Sequence, residues 1–241
     1  MRGFVDLHRH WVAGIDDGAR DFSGSVALLQ GLRSVGFDTV VATPHMRPGM
    51  FDNTAADLRA AYARTTRAIA EARDLPELHL SSEHFFDDIV FERFLAGDVL
   101  LYPGGHAALV EFGTRTFPTR LAHRFFDLMR RRVRPVIAHP ERYEPVWKDP
   151  AVLDPLLDGG AVLLLDVAAL AGKYGRAPKK AAEQLVEAGY YQAACSDAHG
   201  VKDVKDVQEG ISLLFDQAGR EEATFLLDEG PREILEGRVE S

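Results

Sequence analysis

Cysteine is nearly absent from this chain, which has a single one, Cys195, in 241 residues. One cysteine cannot form an internal disulfide, and it cannot build a cysteine cage around a metal ion. Any metal bound by this chain must therefore be held by histidine, aspartate and glutamate. The segment around Cys195 is apolar, so we expect this residue to be a small buried side chain of a strand.

Long apolar runs and an excess of positive charge are also missing. No segment approaches the roughly 18 consecutive apolar residues of a membrane helix, and the first residues do not read as a signal peptide. We therefore expect a cytoplasmic protein without direct membrane insertion. Asp and Glu number 37 against 28 Lys and Arg, a net charge of −9 that disfavours a nucleic-acid partner. The basic segment 130–134 (RRRVR) is typical of a helix C-terminus, with a docking surface for an acidic partner as the alternative.

Short apolar segments alternate with helical patterns along the whole chain. The predicted helices cover 21–35, with Asp21 or Ser23 as the cap, then 54–73, 118–132 and 178–189. The predicted strands are 4–8, 39–43, 78–83, 108–112, 135–139, 161–167 and 191–197. Such βα repeats predict an α/β fold around a parallel sheet. No linker or low-complexity tract divides the chain, so we expect a single domain, 1–241.

Ligand-type side chains stand at or just past the ends of nearly all the predicted strands. They are His8, His10, His45, Glu83, Glu111, His139, Asp197 and His199. Barrel enzymes build their sites at the carboxyl ends of the strands, whereas an open sheet draws its site from only a few loops. The distribution therefore favours a barrel. Imidazole and carboxylate ligands without thiolate suit manganese, iron, zinc or cobalt.

The motifs are also similar to those of a known family. DLHRH at 6–10 is followed by GIDDGA, TPHMRPGMF, SSEHFF, ALVEF, PVIAHPERY and SDAHG. This series resembles the polymerase and histidinol phosphatase (PHP) superfamily, and within it the metal-dependent tyrosine-protein phosphatases of bacterial capsule and exopolysaccharide loci. The resemblance runs from about residue 4 to 235. It implies a distorted (β/α)7 barrel, the PHP fold, which holds three divalent metal ions, with manganese as the expected metal.

The resemblance also implies a set of ligands. In IDDG the choice lies between Asp16 and Asp17, and Asp17 is preferred because it directly precedes the glycine, as in the superfamily motif. Histidines 79, 84, 106 and 123 lie off the motif positions and are expected to be surface or hydrogen-bonded residues. The implied metal ligands are His8, His10, Asp17, His45, Glu83, Glu111, His139, Asp197 and His199.

Two arginines follow ligand histidines and are the expected catalytic groups. Arg47 lies two residues past His45, and Arg142 lies three residues past His139. A guanidinium there can grip phosphate oxygens with paired hydrogen bonds, while a surface ion pair is the alternative. Clustered metal ions lower the pKa of a bridging water, so no protein nucleophile is required. A thiol mechanism is excluded in any case, because the sixth residue after Cys195 is not an arginine.

Two further features concern substrate recognition. Phe85 and Phe86 occupy places that are aromatic in the family, where they could form the wall of a phenyl site or equally pack in the core. The resembling phosphatases carry an arginine a few residues after the last histidine, but the segment here, HGVKDVKDVQ, has none. Lys202 or Lys205 could supply the charge, without the planar fork of arginine.

The resemblance implies hydrolysis of phosphotyrosine by a metal-activated water. The implied substrate is a phosphotyrosine protein, a bacterial tyrosine autokinase that controls capsular or exopolysaccharide synthesis. One alternative is a small-molecule phosphomonoesterase such as histidinol-phosphate phosphatase, and another is a catalytically weak regulator of polysaccharide assembly.

Overall fold

The computed structural model describes residues 3–239. Within them, the strands are β1 (Phe4–Asp6), β2 (Phe37–Ala42), β3 (His45–Met46), β4 (Glu77–Leu80), β5 (Glu83–Phe85), β6 (Ala107–Glu111), β7 (Arg134–Ala138), β8 (Val162–Asp166) and β9 (Tyr191–Cys195). The α-helices are α1 (Phe22–Ser34), α2 (Ala55–Ala68), α3 (Asp88–Ala96), α4 (Leu121–Arg130), α5 (Glu144–Lys148), α6 (Asp154–Leu157), α7 (Arg176–Glu187), α8 (Val204–Thr224) and α9 (Gly230–Glu236). Helices and strands alternate along most of the chain, as the sequence predicts.

The strands form two parallel sheets that follow one another around the molecule. The smaller sheet has the order β1-β2-β4, and the larger has the order β3-β5-β6-β7-β8-β9. β2 and β3 are separated only by Thr43 and Pro44, and β4 and β5 only by Ser81 and Ser82. Each pair thus continues one strand path from the first sheet into the second. The segment 78–83, predicted as one strand, is one of these interrupted paths.

Counting each interrupted path once gives seven strands in chain order. The first and last paths lie side by side, where the Asp197 N–H donates to the His8 carbonyl at 3.2 Å. Within residues 3–239 no regular ladder joins β9 to β1. The prediction of a mixed α/β fold with parallel strands is confirmed, and the interruptions after β2 and β4 show where the sheet departs from a regular ring.

Helix boundaries follow capping chemistry. Asp21 caps α1, since its Oδ1 accepts the Gly24 N–H at 2.8 Å, as predicted for that position. α2 begins at a capping box between Thr54 and Asp57 but ends at Ala68, five residues before the predicted end at 73. α4 is shorter at both ends than 118–132.

The basic segment 130–134 spans the end of α4 and the start of β7. This position confirms the prediction of a helix C-terminus for the first of its arginines. Cys195 is fully buried at the end of β9, and its thiol donates to the Leu165 carbonyl at 3.2 Å, as expected for a small strand residue. In the part of the chain that the structure describes, no helix combines the length and the apolar surface needed to cross a membrane.

Candidate metal centre

The two histidines of DLHRH stand just beyond β1. This segment is joined to the end of β2, since the Arg9 N–H donates to Thr43 Oγ1 and the Thr43 N–H donates to the Arg9 carbonyl, each at 2.8 Å. His8 and His10 are fully buried, and their Nε2 atoms face each other at 3.3 Å. Asp6 lies outside this arrangement, because its carboxylate accepts the Ser196 N–H at 3.0 Å.

All nine predicted ligands come together at the carboxyl ends of the strands. Their ligand atoms form four overlapping groups, and within each group the atoms lie within 4.8 Å of one another. The groups are His10, Asp17, His45 and His199; His8, His10 and Asp197; His8, Glu83 and His139; and His45, Glu83 and Glu111. Shared members link the groups into one cluster, which is called the metal cluster below. That these residues bind metal remains a prediction.

Glu83 occupies the middle of the metal cluster. Its Oε2 lies 3.2 Å from His8 Nε2 and 3.1 Å from His45 Nδ1, and its Oε1 lies 3.1 Å from His139 Nε2. Burial by itself would raise the pKa of Glu83, but His8 and His45 outweigh it and hold that pKa well below its usual range. A carboxylate in this position would help to hold bound cations in two of the four groups.

The adjacent residues Asp16 and Asp17 have different surroundings. Asp17 Oδ1 faces the cluster, 3.4 Å from His45 Nε2 and 3.5 Å from His199 Nε2. Asp16 lies behind His10, where its Oδ2 is 2.8 Å from His10 Nδ1 and its Oδ1 accepts the Gly18 N–H at 3.0 Å. A carboxylate on Nδ1 fixes the ring and leaves Nε2 for a metal. The geometry favours Asp17 as the ligand and gives Asp16 a positioning role that the sequence did not reveal.

Several buried atoms of the cluster have no hydrogen-bond partner within the described residues. They include His45 Nδ1, Glu111 Oε1 and Asp197 Oδ1, which lie 3.1 to 3.5 Å from other side chains of the cluster without the alignment of a hydrogen bond. A buried polar atom without a partner costs free energy, and in native proteins such atoms are uncommon. Cations held between the four groups would satisfy these atoms. The residues present therefore fit a divalent metal cluster.

The charges of the cluster also favour bound cations. Burial lowers the pKa of His10, but Asp16 outweighs it and raises that pKa to about 10. Burial likewise lowers the pKa of His45, and Glu83 together with Asp17 and Glu111 raises it to about 11. These carboxylates create a negative potential that stabilises positive charge among the imidazoles, whether it is carried by protons or by metal ions.

Two of the cluster residues have left-handed backbone conformations. His139 directly follows β7 with φ 35°, and Asp197 follows β9 with φ 37°. Residues other than glycine rarely adopt this region, and such strain tends to occur at functional sites. At both positions the turn carries a side chain of the cluster.

Arg142 contacts the cluster directly. Its Nη1 donates to Asp197 Oδ2 at 2.6 Å, while Asp197 Oδ1 lies 3.3 Å from His8 Nε2. The guanidinium lies over the ring of Tyr174, 4.4 Å from its centroid. Burial by itself lowers the pKa of Arg142, but Asp197 outweighs it, so this pKa is raised. The alternative of an ordinary surface ion pair fits poorly, since the partner carboxylate is buried within the cluster.

Arg47 occupies another side of the cluster. Its guanidinium lies 4.2 Å from the centroid of the Phe85 ring, and its Nη1 is 3.7 Å from Glu111 Oε1. The side chain is 31% exposed, so it remains open to a ligand from solvent. Tyr174 and Phe85 thus support the two arginines by cation–π contact. No sequence motif marked Tyr174 for this role.

The structure separates the two aromatic candidates. Phe86 is 1% exposed and packs against Phe94 and Phe125, which makes it a core residue. Phe85 is half-buried beside Arg47. Phe51 is an aromatic neighbour that the sequence did not single out, and its ring stacks on His45 with 5.1 Å between centroids.

Lys202 and Lys205 are the residues that could supply positive charge after the last histidine, and this role stays a prediction. Both lysines are exposed, and neither forms an ion pair within residues 3–239.

The four histidines expected to be off the site lie outside the four groups. His84 is buried, and its Nδ1 donates to the Leu109 carbonyl at 2.8 Å. His79 lies near Glu77, His106 lies near the Arg132 carbonyl, and His123 is exposed.

Parallel strands that end in a cluster of imidazoles and carboxylates define an α/β protein suited to holding metal ions. Comparison with known proteins agrees with this class. Residues 4–236 match the family described as capsular polysaccharide synthesis, CpsB/CapC, and the chain belongs to that family. The family resemblance predicted from the motifs is thereby confirmed.

Relatives of known name cover almost the entire chain. Tyrosine-protein phosphatase YwqE of Bacillus subtilis is 30% identical over 237 residues, 98% of this chain and 92% of the relative. Tyrosine-protein phosphatase CpsB of Streptococcus pneumoniae is 23% identical and covers 96% of this chain and 98% of its own. A crystal structure from work on YwqE and CpsB, described as unique metal-dependent tyrosine phosphatases, matches with a TM-score of 0.90 at 28% identity, covering 98% of this chain and 95% of that chain.

More distant structures share the fold alone. Histidinol phosphate phosphatase of Lactococcus lactis matches with a TM-score of 0.57 at 11% identity, over 90% of this chain and 94% of that chain. This likeness agrees with the PHP-type fold expected from the sequence.

Proposed function

We propose that this protein is a metal-dependent protein-tyrosine phosphatase, an enzyme that hydrolyses phosphotyrosine in another protein. The observation that carries the proposal is the cluster of nine ligand side chains, all buried or half-buried except Asp17, with an arginine on each of two sides. It occurs in a chain whose relatives YwqE and CpsB are tyrosine-protein phosphatases. We also propose that the chain forms one phosphatase domain.

The proposed cofactor is a set of three divalent ions, with manganese expected and iron, zinc or cobalt as alternatives. Nine side chains would suffice to hold three ions, and Glu83, which belongs to two of the four groups, has two carboxylate oxygens for them. When bound, such ions supply Lewis-acid stabilisation of the phosphoryl oxygens and lower the pKa of a water molecule that attacks in line.

The chain's own residues would bind and orient the phosphate. Arg142 is held in place by Asp197 and Tyr174, and Arg47 by Phe85 and Glu111. Guanidinium groups form paired hydrogen bonds with phosphate oxygens and stabilise the negative charge of the transition state. Because both arginines are held before substrate arrives, little of this stabilisation is lost to reorganisation.

The proposed protein substrate is a bacterial tyrosine autokinase that controls capsular or exopolysaccharide synthesis. Membership of the capsular polysaccharide synthesis family supports this assignment. Since kinases use ATP, their phosphotyrosine arises in the cytoplasm, and we propose that the phosphatase acts there.

The experiment measures phosphate release from a phosphotyrosine peptide and from histidinol phosphate by the purified protein, with Mn²⁺ or with chelator. We expect Mn²⁺-dependent turnover of the peptide and little turnover of histidinol phosphate. The opposite preference would assign the protein to small-molecule metabolism, and turnover of neither would make a catalytically weak regulator of polysaccharide assembly the next hypothesis to test. The variant His139→Ala should lose bound metal and activity together, because its ring belongs to the group around Glu83.

A further inference from the structure

A groove lies on the surface beside the metal cluster, at the end of the two sheets where the strands finish. Its walls come from the segments that follow β5 and β6, the same strands that carry Glu83 and Glu111 to the cluster. The side chains that matter here are Phe85, Ile89, Thr116, Phe117 and Thr119.

The groove is continuous with the rim of the metal cluster. Phe85 lines the groove, and the guanidinium of Arg47 lies over its ring, 4.2 Å from the ring centroid. Arg47 in turn lies 3.7 Å from Glu111 Oε1, an atom of the cluster. A ligand whose phosphate is gripped by Arg47 therefore has the groove directly beside it.

Apolar side chains are exposed along this groove, beside the ion pair of Arg124 with Asp88 that also lines it. Ile89, in the first turn of α3, is 54% exposed, and Phe117 is half-buried. Phe117 is fixed from behind by Phe112 and Tyr143, with ring centroids 5.5 Å and 5.6 Å away. An isolated exposed apolar residue is common, but a fixed aromatic ring and an aliphatic side chain along one groove suit an apolar ligand side chain.

The groove also offers backbone groups to a partner chain. The segment 113–120 is mostly exposed, and the N–H groups of Phe117 and Thr119 make no hydrogen bond to any described residue. An extended polypeptide can accept hydrogen bonds from such donors while its alternate side chains enter apolar pockets. A small phosphate ester lacks the length to use either feature.

We infer that this groove binds the polypeptide beside the phosphotyrosine, as an extended segment with an apolar side chain against Ile89 and Phe117. This inference rests on the proposed phosphatase function and names the substrate feature that the enzyme recognises. A phosphotyrosine whose phosphate reaches the metal cluster brings its main chain to the rim, and the groove starts at that rim. Recognition of the flanking chain would distinguish protein substrates from free phosphate esters.

The test compares three substrates of the Mn²⁺-loaded enzyme: a phosphotyrosine peptide with leucine on both sides, the same peptide with serine instead, and free phosphotyrosine. The variant Ile89→Ser should lower kcat/KM about fivefold for the leucine peptide, as expected for partial loss of one buried aliphatic side chain. It should leave free phosphotyrosine and the serine peptide nearly unchanged. Phe126→Ser is the matched control, since Phe126 is also 54% exposed but lies on α4 outside the groove.

A binding measurement separates this inference from the proposed function. Fluorescence anisotropy with a labelled leucine peptide that carries a phosphonate in place of the phosphate should show about fivefold weaker binding to Ile89→Ser than to the unmodified protein. If the phosphonate peptide binds in this Ile89-dependent way but no phosphotyrosine substrate is hydrolysed, the proposed function is wrong and the assignment of the groove to peptide binding stands. If the unmodified protein hydrolyses the peptides and Ile89→Ser changes neither kcat/KM nor affinity, the groove assignment is wrong. An equal loss on free phosphotyrosine would also overturn it.

Discussion

Asp16 Oδ2 lies 2.8 Å from Nδ1 of His10, on the side of the ring opposite to the metal cluster. The same oxygen accepts the His45 N–H at 3.2 Å, and Asp16 Oδ1 accepts the Gly18 N–H. One buried carboxylate thus fixes the ring of one proposed ligand and the backbone of another. Its neighbour Asp17 presents its own carboxylate to the cluster.

Replacing Asp16 should weaken metal binding without removing a ligand. We expect Asp16→Ala to lower Mn²⁺ affinity by about 10- to 100-fold, because His10 loses the carboxylate that sets its tautomer and orientation. Competition with a chelating dye measures the affinity. Asp16→Asn keeps an acceptor oxygen of the same shape and should recover much of the loss. Equal affinities for Asp16→Ala and the unmodified protein would show that the contact has no positioning role.

Asp17→Ala should act differently, because this change removes a carboxylate that faces His45 and His199. The metal content of the purified protein, measured by inductively coupled plasma mass spectrometry, should fall by about one ion per chain. The Asp16→Ala protein, saturated with Mn²⁺, should retain the full number. A reversed result, with the ion lost only on changing Asp16, would make Asp16 the ligand.

Arg142→Ala should keep the metal and lose activity. We expect kcat on a phosphotyrosine peptide to fall about a hundredfold, as for the loss of one donor to a developing oxyanion. Asp197 also loses its ion-pair partner, so metal content is measured on the same sample. Arg142→Lys keeps the charge but not the planar fork, and should recover only part of the rate. Full activity in Arg142→Ala would exclude a phosphate-binding role for this guanidinium.

Cys195→Ser should leave catalysis largely intact. The thiol is fully buried and bonded to the Leu165 carbonyl, and burial raises its pKa, so it remains a protonated thiol rather than a nucleophile. A hydroxyl can donate to the same carbonyl. Steady-state rates of both proteins, with and without iodoacetamide, test this expectation. Trapping of a phosphorylated thiol during turnover would contradict it.

His84, a buried histidine outside the four groups, gives a pH dependence of stability. Burial lowers the pKa of His84 to about 4 from a usual value of 6.5, and the neutral ring holds the Leu109 carbonyl. Between pH 6.5 and about pH 4, His84 is protonated in the unfolded chain but stays neutral in the folded chain. The stability that the neutral His84 ring contributes is therefore complete above pH 6.5 and is lost progressively towards pH 4.

The His84→Gln variant tests this dependence. The free energy of unfolding is measured with urea, in the presence of chelator, at pH 7 and at pH 5.5. Between pH 7 and pH 5.5 it should fall by about 1 kcal/mol more in the unmodified protein than in His84→Gln. Chelator removes metal release from the comparison, and the other titrating groups are common to both proteins. A protein in which His84 titrates normally would show the same pH dependence as the variant.

The local pattern of the chain determined most of the architecture. Apolar segments at the observed strand positions and the cap at Asp21 follow from burial and from backbone donors at helix starts, which act within a few residues. The same pattern placed a ligand-type residue after nearly every strand, because parallel strands finish at one end of the fold. The predicted helix ends were less accurate, as in α2, where no glycine or proline marks the end of the helix at Ala68.

The sequence by itself determined which residue types are delivered to the cluster, and the tertiary structure decided what each one contacts. Asp16 and Asp17 are chemically identical, and only the approach of His10, His45 and His199 gives them separate roles. The pairs Arg142 with Asp197 and Arg47 with Phe85 join residues far apart in the chain. Hydrophobic periodicity records which face is buried, but pairing across the molecule depends on strand register and helix packing, which emerge only when the whole chain folds.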